Sequence, residues 1–230
     1  MCGRFVGFRN LEQLRTFFPI DTAMCKVTAN YNVAPSQEIL VIVCRDGENR
    51  LENFHWGLVP FWAKDTSMGK RLINARAETV ATKPSFRNAF KKRRCLIIAD
   101  GFYEWRLINK RKQPVFITLP DKRPFAFAGL WEAWDKKGDS ASVHHSCTII
   151  TIEASDSVRQ IHHRMPAVLK TQVYDTWLDP KNKDILALQH ILKNDVISEF
   201  LSYPVSIGVN SVRNNDPSNI EPHTQMQLDF

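Results

Sequence analysis

The chain has 230 residues, a mass of 26.5 kDa and a formal net charge of +7 at pH 7. Its 43% hydrophobic and 24% charged residues are ordinary globular values, which exclude a wholly disordered chain. No apolar run reaches the roughly 20 residues of a membrane span, and the first residues do not form a secretory signal. We therefore expect one cytoplasmic domain over residues 1–230, without a membrane partner, in which 210–230 is loop or tail.

The charge balance and the cysteines narrow the class of protein further. A sequence pI of about 9.2 fits a polyanionic partner, although a merely basic surface explains it equally well. The cysteines at positions 2, 25, 44, 95 and 147 are odd in number, scattered and without a CxxC pair. That spacing fits neither a disulfide framework nor a common zinc site, so we expect reduced thiols and no bound metal.

The order of the predicted elements indicates the fold class. In chain order they are a helix over 11–18 capped by Asn10, a loop over 30–36, strands over 39–44 and 53–59 joined at Asp46-Gly47, irregular chain and short helices over 72–94, strands over 95–107, 114–119, 124–134 and 145–153, helices over 173–178 and 185–192, and a strand over 204–209. Strands joined by short turns, with helices in the insertions, predict a mainly antiparallel α+β domain. Because the chain lacks a βαβα alternation, a GxGxxG motif and a P-loop motif, nucleotide-binding doubly wound folds are disfavoured.

Cys2 is the most unusual residue for chemistry. Initiator methionine is generally removed before a small residue, so we expect a mature chain that starts with a free cysteine. Its α-amine, with a reference pKa of about 7.7–8.0, is roughly one tenth neutral at pH 7, and its thiol, near 8.5, is a few per cent thiolate. An amine beside a β-thiol captures an aldehyde in two steps, first as an imine and then as a five-membered thiazolidine. A Met-Cys start by chance is the competing explanation.

Three further segments carry polar side chains that are candidates for chemistry. In 100–105 two acids and a glycine break a buried strand, and Glu104 lies among three aromatic residues. Desolvation among aromatic residues raises the pKa of a carboxyl group, which suits an acid that must both give and take protons. A structural ion pair explains the presence of Glu104 equally well. The segment 74–78 is most simply a helix start with Glu78 in its first turns. The histidines at 162–163 are neighbours, and neighbours usually diverge in direction, so a metal site there is disfavoured.

Basic and aromatic residues suggest a nucleic-acid partner. Six basic residues gather over 83–94, and with Arg4 and Arg76 they are candidates for a phosphate-binding face. A solvated helix face is the simpler explanation of the run, and a core position is the simpler one for the aromatics. The aromatic candidates for stacking on unpaired bases are Trp56, Phe61 and Trp62.

Seven segments run in order over nearly the whole chain: Met1–Phe5, Tyr31–Pro35, Trp56–Pro60, Asn74–Thr79, Ala99–Trp105, Ile161–Pro166 and Val209–Asn214. Together they resemble the SRAP family, the SOS-response-associated "peptidase" proteins that process abasic sites in DNA. The resemblance implies a single SRAP domain, with a β-barrel-like core of antiparallel strands flanked by helices. It also implies a positively charged cleft for single-stranded DNA.

The resemblance further implies a covalent reaction. Met1 is removed, by an aminopeptidase or by autoproteolysis, and Cys2 then forms a thiazolidine crosslink with an abasic site in single-stranded DNA. The family's active-site asparagine falls on Asn74, its glutamate on Glu104 and its histidine on His162. On this basis we expect no cofactor and no metal, a monomer, and a role in the DNA damage response at the nucleoid.

The resemblance extends to residues that contact DNA. Arg4 and Arg76 match arginines that hold DNA phosphates in the family. Around Pro84-Ser85 some relatives carry a basic residue and a bulky one against the DNA, and this chain carries neither. We expect Lys83 or Arg87 to substitute there.

Two other classes of function fit the same residues. An amino-terminal nucleophile peptidase would use the freed Cys2 and the same acid, as the family's older name suggests. A noncatalytic module for binding single-stranded DNA would explain the charge and the aromatic residues. That second alternative leaves Cys2 and Glu104 without a role.

Overall fold

A computed structural model of the protein describes residues 2–135 and 143–223. Its strands are β1 (Phe5–Gly7), β2 (Thr22–Ala23), β3 (Asn30–Val33), β4 (Glu38–Arg45), β5 (Glu48–Trp56), β6 (Asn74–Arg76), β7 (Arg94–Ala99), β8 (Gly101–Ile108), β9 (Arg111–Thr118), β10 (Phe125–Trp134), β11 (His144–Glu153), β12 (Arg164–Pro166), β13 (Val168–Leu169) and β14 (Leu201–Pro204). Its α-helices are α1 (Leu11–Phe17), α2 (Arg87–Lys92), α3 (Asp156–Arg159), α4 (Tyr174–Leu178) and α5 (Ile185–Asn194). Single 3₁₀ turns cover Thr66–Arg71, Thr171–Val173, Ile207–Asn210 and Pro217–Ile220.

The strands form two sheets. The smaller sheet is antiparallel in the order β14-β9-β8-β1-β3, and the larger one follows β12-β11-β10-β7-β4-β5-β2. Strand β6 adds to β11, and β13 adds to β10. Because β11 also pairs with β5, the strands β5, β4, β7, β10 and β11 close into a ring of pairings. The α+β fold class is confirmed, and β11 with β5, β11 with β6 and β2 with β5 add parallel pairs to a mainly antiparallel arrangement.

The main core lies on both faces of the larger sheet, and β7 illustrates the reason. Side chains alternate along a strand, so Cys95, Ile97 and Ala99 face the smaller sheet while Leu96 and Ile98 face the helices. All five side chains are buried. A strand covered on both faces reads as a continuous apolar run, which is the pattern of 95–99 in the sequence. The helix-side core is completed by α1, α2, α4 and α5.

The outer face of the smaller sheet carries a further core. Val6, Tyr103 and Phe116 point to this face, and Val205 and Val209 from the C-terminal segment cover them. The segment from 210 to 223 contains no strand or α-helix but includes the 3₁₀ turn Pro217–Ile220, and it packs here through the buried Asn219, whose carbonyl accepts from the Tyr103 hydroxyl. Residues 224–230 and Met1 lie outside the described residues.

Most predicted elements are confirmed. Helix α1 ends one residue earlier than predicted, and Asn10 caps it in a capping box with Gln13. The Asp46-Gly47 turn joins β4 to β5 with φ values of 54° and 86°, the left-handed conformation that such a two-residue turn requires. The elements β4, β9, β10, β11, α4 and α5 lie close to their predicted ranges. In the described part of the chain no helix combines the length and the apolar composition needed to cross a bilayer.

Two predictions at the first hairpin are wrong. Residues 30–33 form β3 rather than a loop, because pairing with β1 outweighs their weak local preference for a strand. The return strand of the hairpin covers Glu48–Trp56 rather than 53–59. The two-residue turn sends the chain back immediately, so that Arg45 already pairs with Glu48.

Two further predictions are wrong in the type of element. The segment 74–78 begins with strand β6, which pairs in parallel with β11, and not with a helix. The predicted strand over 204–209 is the end of β14 followed by the 3₁₀ turn Ile207–Asn210. Val205 precedes that turn and Val209 lies within it, and both side chains reach the outer core.

Arg94, the last residue of the basic run over 83–94, stabilises the fold. Arg94 is 2% exposed, and its guanidinium donates hydrogen bonds to the carbonyls of Phe90 at 2.8 Å, Trp177 at 2.7 Å and Asn182 at 3.0 Å, and to that of Asp179. Burial lowers the pKa of Arg94 to about 10, so the group is still charged at neutral pH. It ties α2, β7 and the end of α4 together.

Arg93, the neighbouring basic residue, is also engaged. Its Nη2 lies 2.7 Å from Oε1 of Glu132, whose side chain is almost fully buried. Burial raises the pKa of Glu132, and the guanidinium of Arg93 opposes that effect. Neither Arg93 nor Arg94 is therefore available as an unpaired cation for a phosphate, which corrects the interpretation of the run as one face.

We expect Arg94→Lys to destabilise the protein by about 2–4 kcal/mol, because an ammonium group cannot reproduce the forked set of charged hydrogen bonds. Urea unfolding followed by tryptophan fluorescence measures the change. Arg87→Lys, on the exposed face of α2, is the matched control and should stay within about 0.5 kcal/mol of the natural protein. Equal stability of the two variants would contradict a structural role for Arg94.

Candidate active site

The N-terminal segment lies alongside β8. Strand β1 pairs with β8 in the register Phe5 with Phe102, and the Tyr103 N–H donates to the Arg4 carbonyl at 2.9 Å. Continuing this antiparallel register by two residues sets Gly3 opposite Glu104. Cys2, one residue earlier, is fully buried and packs into the core between the two sheets.

Asn74 connects a second part of the chain to Cys2. It is the first residue of β6, and pairing with Ile149 of β11 fixes its position. Its Nδ2 donates to the Cys2 carbonyl at 2.8 Å. Its Oδ1 is buried and accepts no hydrogen bond within the described part of the chain. The Asn74 side chain therefore holds the Cys2 carbonyl through Nδ2 and keeps Oδ1 as a hydrogen-bond acceptor.

Glu104 is the acid of this region. It has the same strand parity as Phe102, whose ring lies between the sheets, so its carboxylate points to the inner face and is 4% exposed. Burial raises the pKa of the Cys2 thiol strongly, and the negative charge of Glu104 raises it further. The thiolate fraction of Cys2 is therefore lower than the few per cent expected from the sequence, because the thiol is desolvated and faces an anion.

His162 opens onto a cleft next to Glu104. The cleft has a volume of about 540 Å³ and is lined by Glu104, Trp105, Lys112, His162 and Asn210. The Arg164 N–H lies 2.9 Å from His162 Nδ1, and a backbone N–H can only donate. Nδ1 also lies 2.9 Å from the Arg164 carbonyl oxygen, so it accepts from the N–H in one tautomer and donates to the carbonyl in the other. The His163 ring stacks on the His162 ring at 4.4 Å between centroids.

An ion pair holds the histidine segment against the asparagine segment. Arg164 Nη1 and Nη2 lie 2.5 and 3.1 Å from the two carboxylate oxygens of Glu78. Nη2 also donates to the Thr151 carbonyl at 2.6 Å. The hydrogen bonds from Arg164 lower the pKa of Glu78. Glu78 therefore belongs to an inter-segment ion pair, and the helix start predicted around it is wrong.

The predicted DNA-binding residues divide into two groups. Arg4 is half-buried, with Nη1 donating to Asn32 Oδ1 at 2.5 Å and to the Val209 carbonyl at 2.8 Å. Burial lowers the pKa of Arg4. Arg76 is exposed at the end of β6, two residues from Asn74. These two arginines lie next to the Cys2 and Asn74 backbone.

Lys83 and Arg87 form the second group. Both are exposed, Lys83 in the turns after β6 and Arg87 at the start of α2. Neither lines the cleft of Glu104 and His162. Helix α2 packs on the face of the larger sheet opposite Cys2, so these two cations stand apart from the candidate active site.

Sequence reasoning missed three residues that shape the cleft. Trp105 Nε1 donates to Asn210 Oδ1 at 2.7 Å, and the Arg4 guanidinium lies 5.8 Å from the Trp105 ring centre. Lys112, on β9, also lines the cleft. Trp105 and Asn210 belong to the family-like segments, but no local pattern distinguishes Lys112 from its basic neighbours. Only the pairing of β9 with β8 brings it to Glu104.

The aromatic candidates separate by burial. Trp56 is fully buried, its ring packs on Phe5, and its Nε1 donates to the Ile73 carbonyl at 3.0 Å. It cannot stack on a base. Phe61 and Trp62 are 51% and 47% exposed. Within residues 2–135 and 143–223, no group of three or more His, Cys, Asp or Glu side chains is arranged to hold a metal ion.

Comparison with known proteins identifies relatives along almost the whole chain. The family model described as SOS response associated peptidase (SRAP) matches residues 1–212. Abasic site processing protein YoqW of Bacillus subtilis is 44% identical over 97% of this chain and 100% of its own length. Abasic site processing protein YedK of Escherichia coli is 30% identical over 96% of this chain and 100% of its own. HMCES of Xenopus tropicalis, also named an abasic site processing protein, is 31% identical over 84% of this chain and 65% of its own.

Solved structures share the fold. A crystal structure of a protein from Bacteroides thetaiotaomicron superposes with a TM-score of 0.80 at 25% identity, over 97% of this chain and 100% of that one. The resemblance noted in the seven segments is confirmed by the family model, which spans six of them completely and enters the seventh. The chain belongs to the SRAP family.

Proposed function

We propose that this protein processes abasic sites in single-stranded DNA by forming a covalent thiazolidine through Cys2, within the DNA damage response. The observation that carries the proposal is the hydrogen bond from Asn74 to the Cys2 carbonyl, beside a buried carboxylate on the adjacent strand. The relatives of this chain that are named abasic site processing proteins support an abasic site as the substrate. Cys2 is buried, so the damaged sugar must leave any base stack to reach it, and that costs least in a single strand.

The first step is the release of the nucleophile. Removal of Met1 turns the Cys2 nitrogen from an amide into an amine, and an amide nitrogen does not attack aldehydes. Self-cleavage consumes one water molecule: Glu104 takes a proton from the water as it adds to the Met1 carbonyl carbon, and delivers that proton to the Cys2 nitrogen as the peptide bond breaks. The peptide bond between Met1 and Cys2 is the peptidase substrate that we propose.

The second step makes the imine. An abasic deoxyribose exchanges between a closed ring and an open aldehyde, and His162, in the tautomer that carries its proton on Nε2, donates to the ring oxygen as the ring opens. The Cys2 amine adds to the aldehyde carbon to give a carbinolamine, which then loses water. Glu104 takes the proton from nitrogen and delivers it to the leaving hydroxyl. Asn74 Oδ1 accepts a hydrogen bond from the amine or from that hydroxyl.

The third step closes the ring. The Cys2 sulfur bonds to the imine carbon, and the Glu104 carboxylate takes the thiol proton and passes it to the imine nitrogen. The product is a neutral thiazolidine. If the imine instead loses a proton from the adjacent sugar carbon, the 3′ phosphate leaves and the strand breaks. Capture by the thiol removes the imine before that elimination, so the crosslink protects the strand.

Cys2→Ser should abolish the heat-stable adduct while the serine amine still forms an imine. The measurement is a denaturing gel of protein mixed with an abasic oligonucleotide, with and without borohydride. We expect an adduct from Cys2→Ser only when borohydride reduces the imine. Cys25→Ser is the matched control and should crosslink as the natural protein does. A heat-stable adduct from Cys2→Ser without borohydride would show that sulfur is not needed.

Glu104→Gln should slow crosslinking by roughly 10²–10⁴-fold, the usual contribution of a positioned acid–base group. Affinity for an undamaged single strand should change little, because the substitution keeps the shape of the side chain. Single-turnover crosslinking rates and fluorescence anisotropy separate the two effects. Glu132→Gln, which removes another buried carboxylate on β10, should leave the rate unaltered; a normal rate for Glu104→Gln would remove this residue from the mechanism.

Loss of Met1 should accompany every molecule that crosslinks. Intact-mass spectrometry of the natural protein mixed with a uracil-excised oligonucleotide reports the Met1 state and the adduct in one spectrum. We expect adduct mass only on chains that lack Met1, because the blocked nitrogen cannot form the imine. An adduct on a chain that retains Met1 would disprove the role of the amine. Retention of Met1 by Glu104→Gln, under conditions in which Glu132→Gln loses it, would identify the removal as self-cleavage.

A further inference from the structure

A groove lies beside the segment that follows α5, and it is distinct from the candidate active site. We refer to residues 193–198 as the ridge. Two cavities, of about 570 and 640 Å³, adjoin there, because Lys193, Val196 and Ser198 line both of them. Among the described residues, none that lines these cavities also lines the active-site cleft. Both volumes lie within the roughly 300–1,000 Å³ that ligand-binding pockets have.

Backbone hydrogen bonds fix the ridge in place. The Ile197 N–H donates to the Val168 carbonyl at 2.8 Å, and the Lys170 N–H donates to the Asp195 carbonyl at 2.9 Å. Because Val168 belongs to β13, which pairs with β10, the ridge is tied to the larger sheet. A groove that is formed before a ligand arrives does not cost the free energy of ordering its walls on binding.

The first cavity has an apolar floor, and we call it the apolar well. Ile152, Met165, Leu192 and Val196 line it, and Met165 and Leu192 are buried. Aliphatic and thioether side chains adapt to apolar groups of varied shape. The well therefore suits one bulky apolar side chain of a ligand.

The acids around the apolar well are paired within the protein. Glu78 accepts two hydrogen bonds from the Arg164 guanidinium. Glu153 lies 3.6 Å from Nη2 of Arg159 in an exposed ion pair. The two arginines thus match the charges of these acids, and Lys193 adds a further positive charge to the rim.

The second cavity is positively charged, and we call it the basic cleft. Arg123, Lys170 and Lys193 line it, against one acid among the described lining residues, Glu199. Arg123 also has Asp121 at 3.2 Å, but these side chains are 47% and 58% exposed, and such a pair is weak in water. The basic cleft therefore carries a net positive charge next to the apolar well.

The lining distinguishes two classes of polyanionic partner. None of the described residues that line the apolar well or the basic cleft is aromatic. Single-stranded nucleic acids bind through bases that stack on aromatic rings as well as through their phosphates, so this groove lacks one half of that combination. An acidic peptide needs the two features that are present, a pocket for an apolar side chain and cations for its carboxylates.

We propose that this groove binds an acidic peptide segment of another protein. A bulky apolar side chain of the peptide fills the apolar well, and its carboxylates contact Arg123, Lys170 and Lys193. Charge complementarity carries the choice of partner, since the positive charge of the basic cleft begins at the ridge where the apolar well ends. The groove and the active-site cleft share no described lining residue, so a partner bound here leaves the proposed reaction unobstructed.

A display library of random peptides of about eight residues, roughly 26 Å when extended, tests the inference. Parallel selections use the natural protein and the double variant Lys170→Glu, Lys193→Glu, which reverses two charges of the basic cleft. We expect only the natural protein to enrich peptides that combine Asp or Glu with a bulky apolar residue. Equal enrichment on both proteins, or enrichment on neither, would overturn the inference.

Fluorescence anisotropy then measures the affinity of the most enriched peptide, labelled with fluorescein. The affinity should fall about tenfold or more on Lys170→Glu with Lys193→Glu, because like charges then face each other. Replacing the bulky residue of the peptide by alanine should weaken binding by roughly tenfold as well. Lys181→Glu with Lys183→Glu reverses two exposed lysines outside the groove and should keep the affinity within about twofold of that of the natural protein.

Other occupants of the groove give different results. Displacement of the peptide by an undamaged single strand, or slower abasic-site crosslinking by Lys170→Glu with Lys193→Glu alone, would assign the groove to nucleic acid and overturn the inference. A dimer in sedimentation that this variant abolishes would assign the groove to a second copy of the chain and overturn it too. Failure of the proposed reaction would show separately, as the absence of any adduct from the natural protein.

Discussion

The hydrogen bond from the Tyr103 N–H to the Arg4 carbonyl is the interaction on which the site depends. Chain termini are mobile unless something fixes them, and here β1 is held between β8 and β3. The pairing orders the backbone up to Cys2 and brings it to the strand that carries Glu104. Without it the thiol would lie in water, and Asn74 would have no carbonyl to hold. The first residues thus take part in the core and in the candidate chemistry at once.

Strand β11 brings the other two segments that carry candidate site residues to this point. Strand β6 pairs with it in parallel and β12 pairs with it antiparallel, so the residues at 74 and 162 approach from different parts of the sequence. The Glu78–Arg164 ion pair then fixes one segment against the other across 86 positions of the chain. Arg164 contacts His162 through its backbone and Glu78 through its guanidinium, so one residue sets both the orientation of the histidine and its distance from the asparagine segment.

The sequence predicts elements whose signal is local and misses those that depend on distant partners. The apolar run of β7 and the Asn10 cap need only their neighbours, and both are confirmed. Strand β6 has three residues, so nothing in it reveals a strand before β11 is in place. Composition also cannot separate Trp56 from Trp62, which differ only in burial. The likeness of seven segments to a family, rather than any local pattern, identified Asn74 and His162 as candidates.

Under the proposed reaction, the buried Cys2 thiol is unreactive while the amine is free and becomes reactive once the amine has captured the sugar. Burial and the charge of Glu104 raise the thiol pKa, so the free thiol is a poor nucleophile towards unrelated electrophiles in the cell. Once the amine holds the sugar as an imine, the sulfur and the imine carbon belong to one molecule, and a bond between them closes a five-membered ring. Effective concentrations of about 10⁵ M or more can then outweigh a low thiolate fraction. The buried position thus makes capture by sulfur conditional on prior capture by nitrogen, and only an aldehyde that reaches the amine leads to the stable adduct.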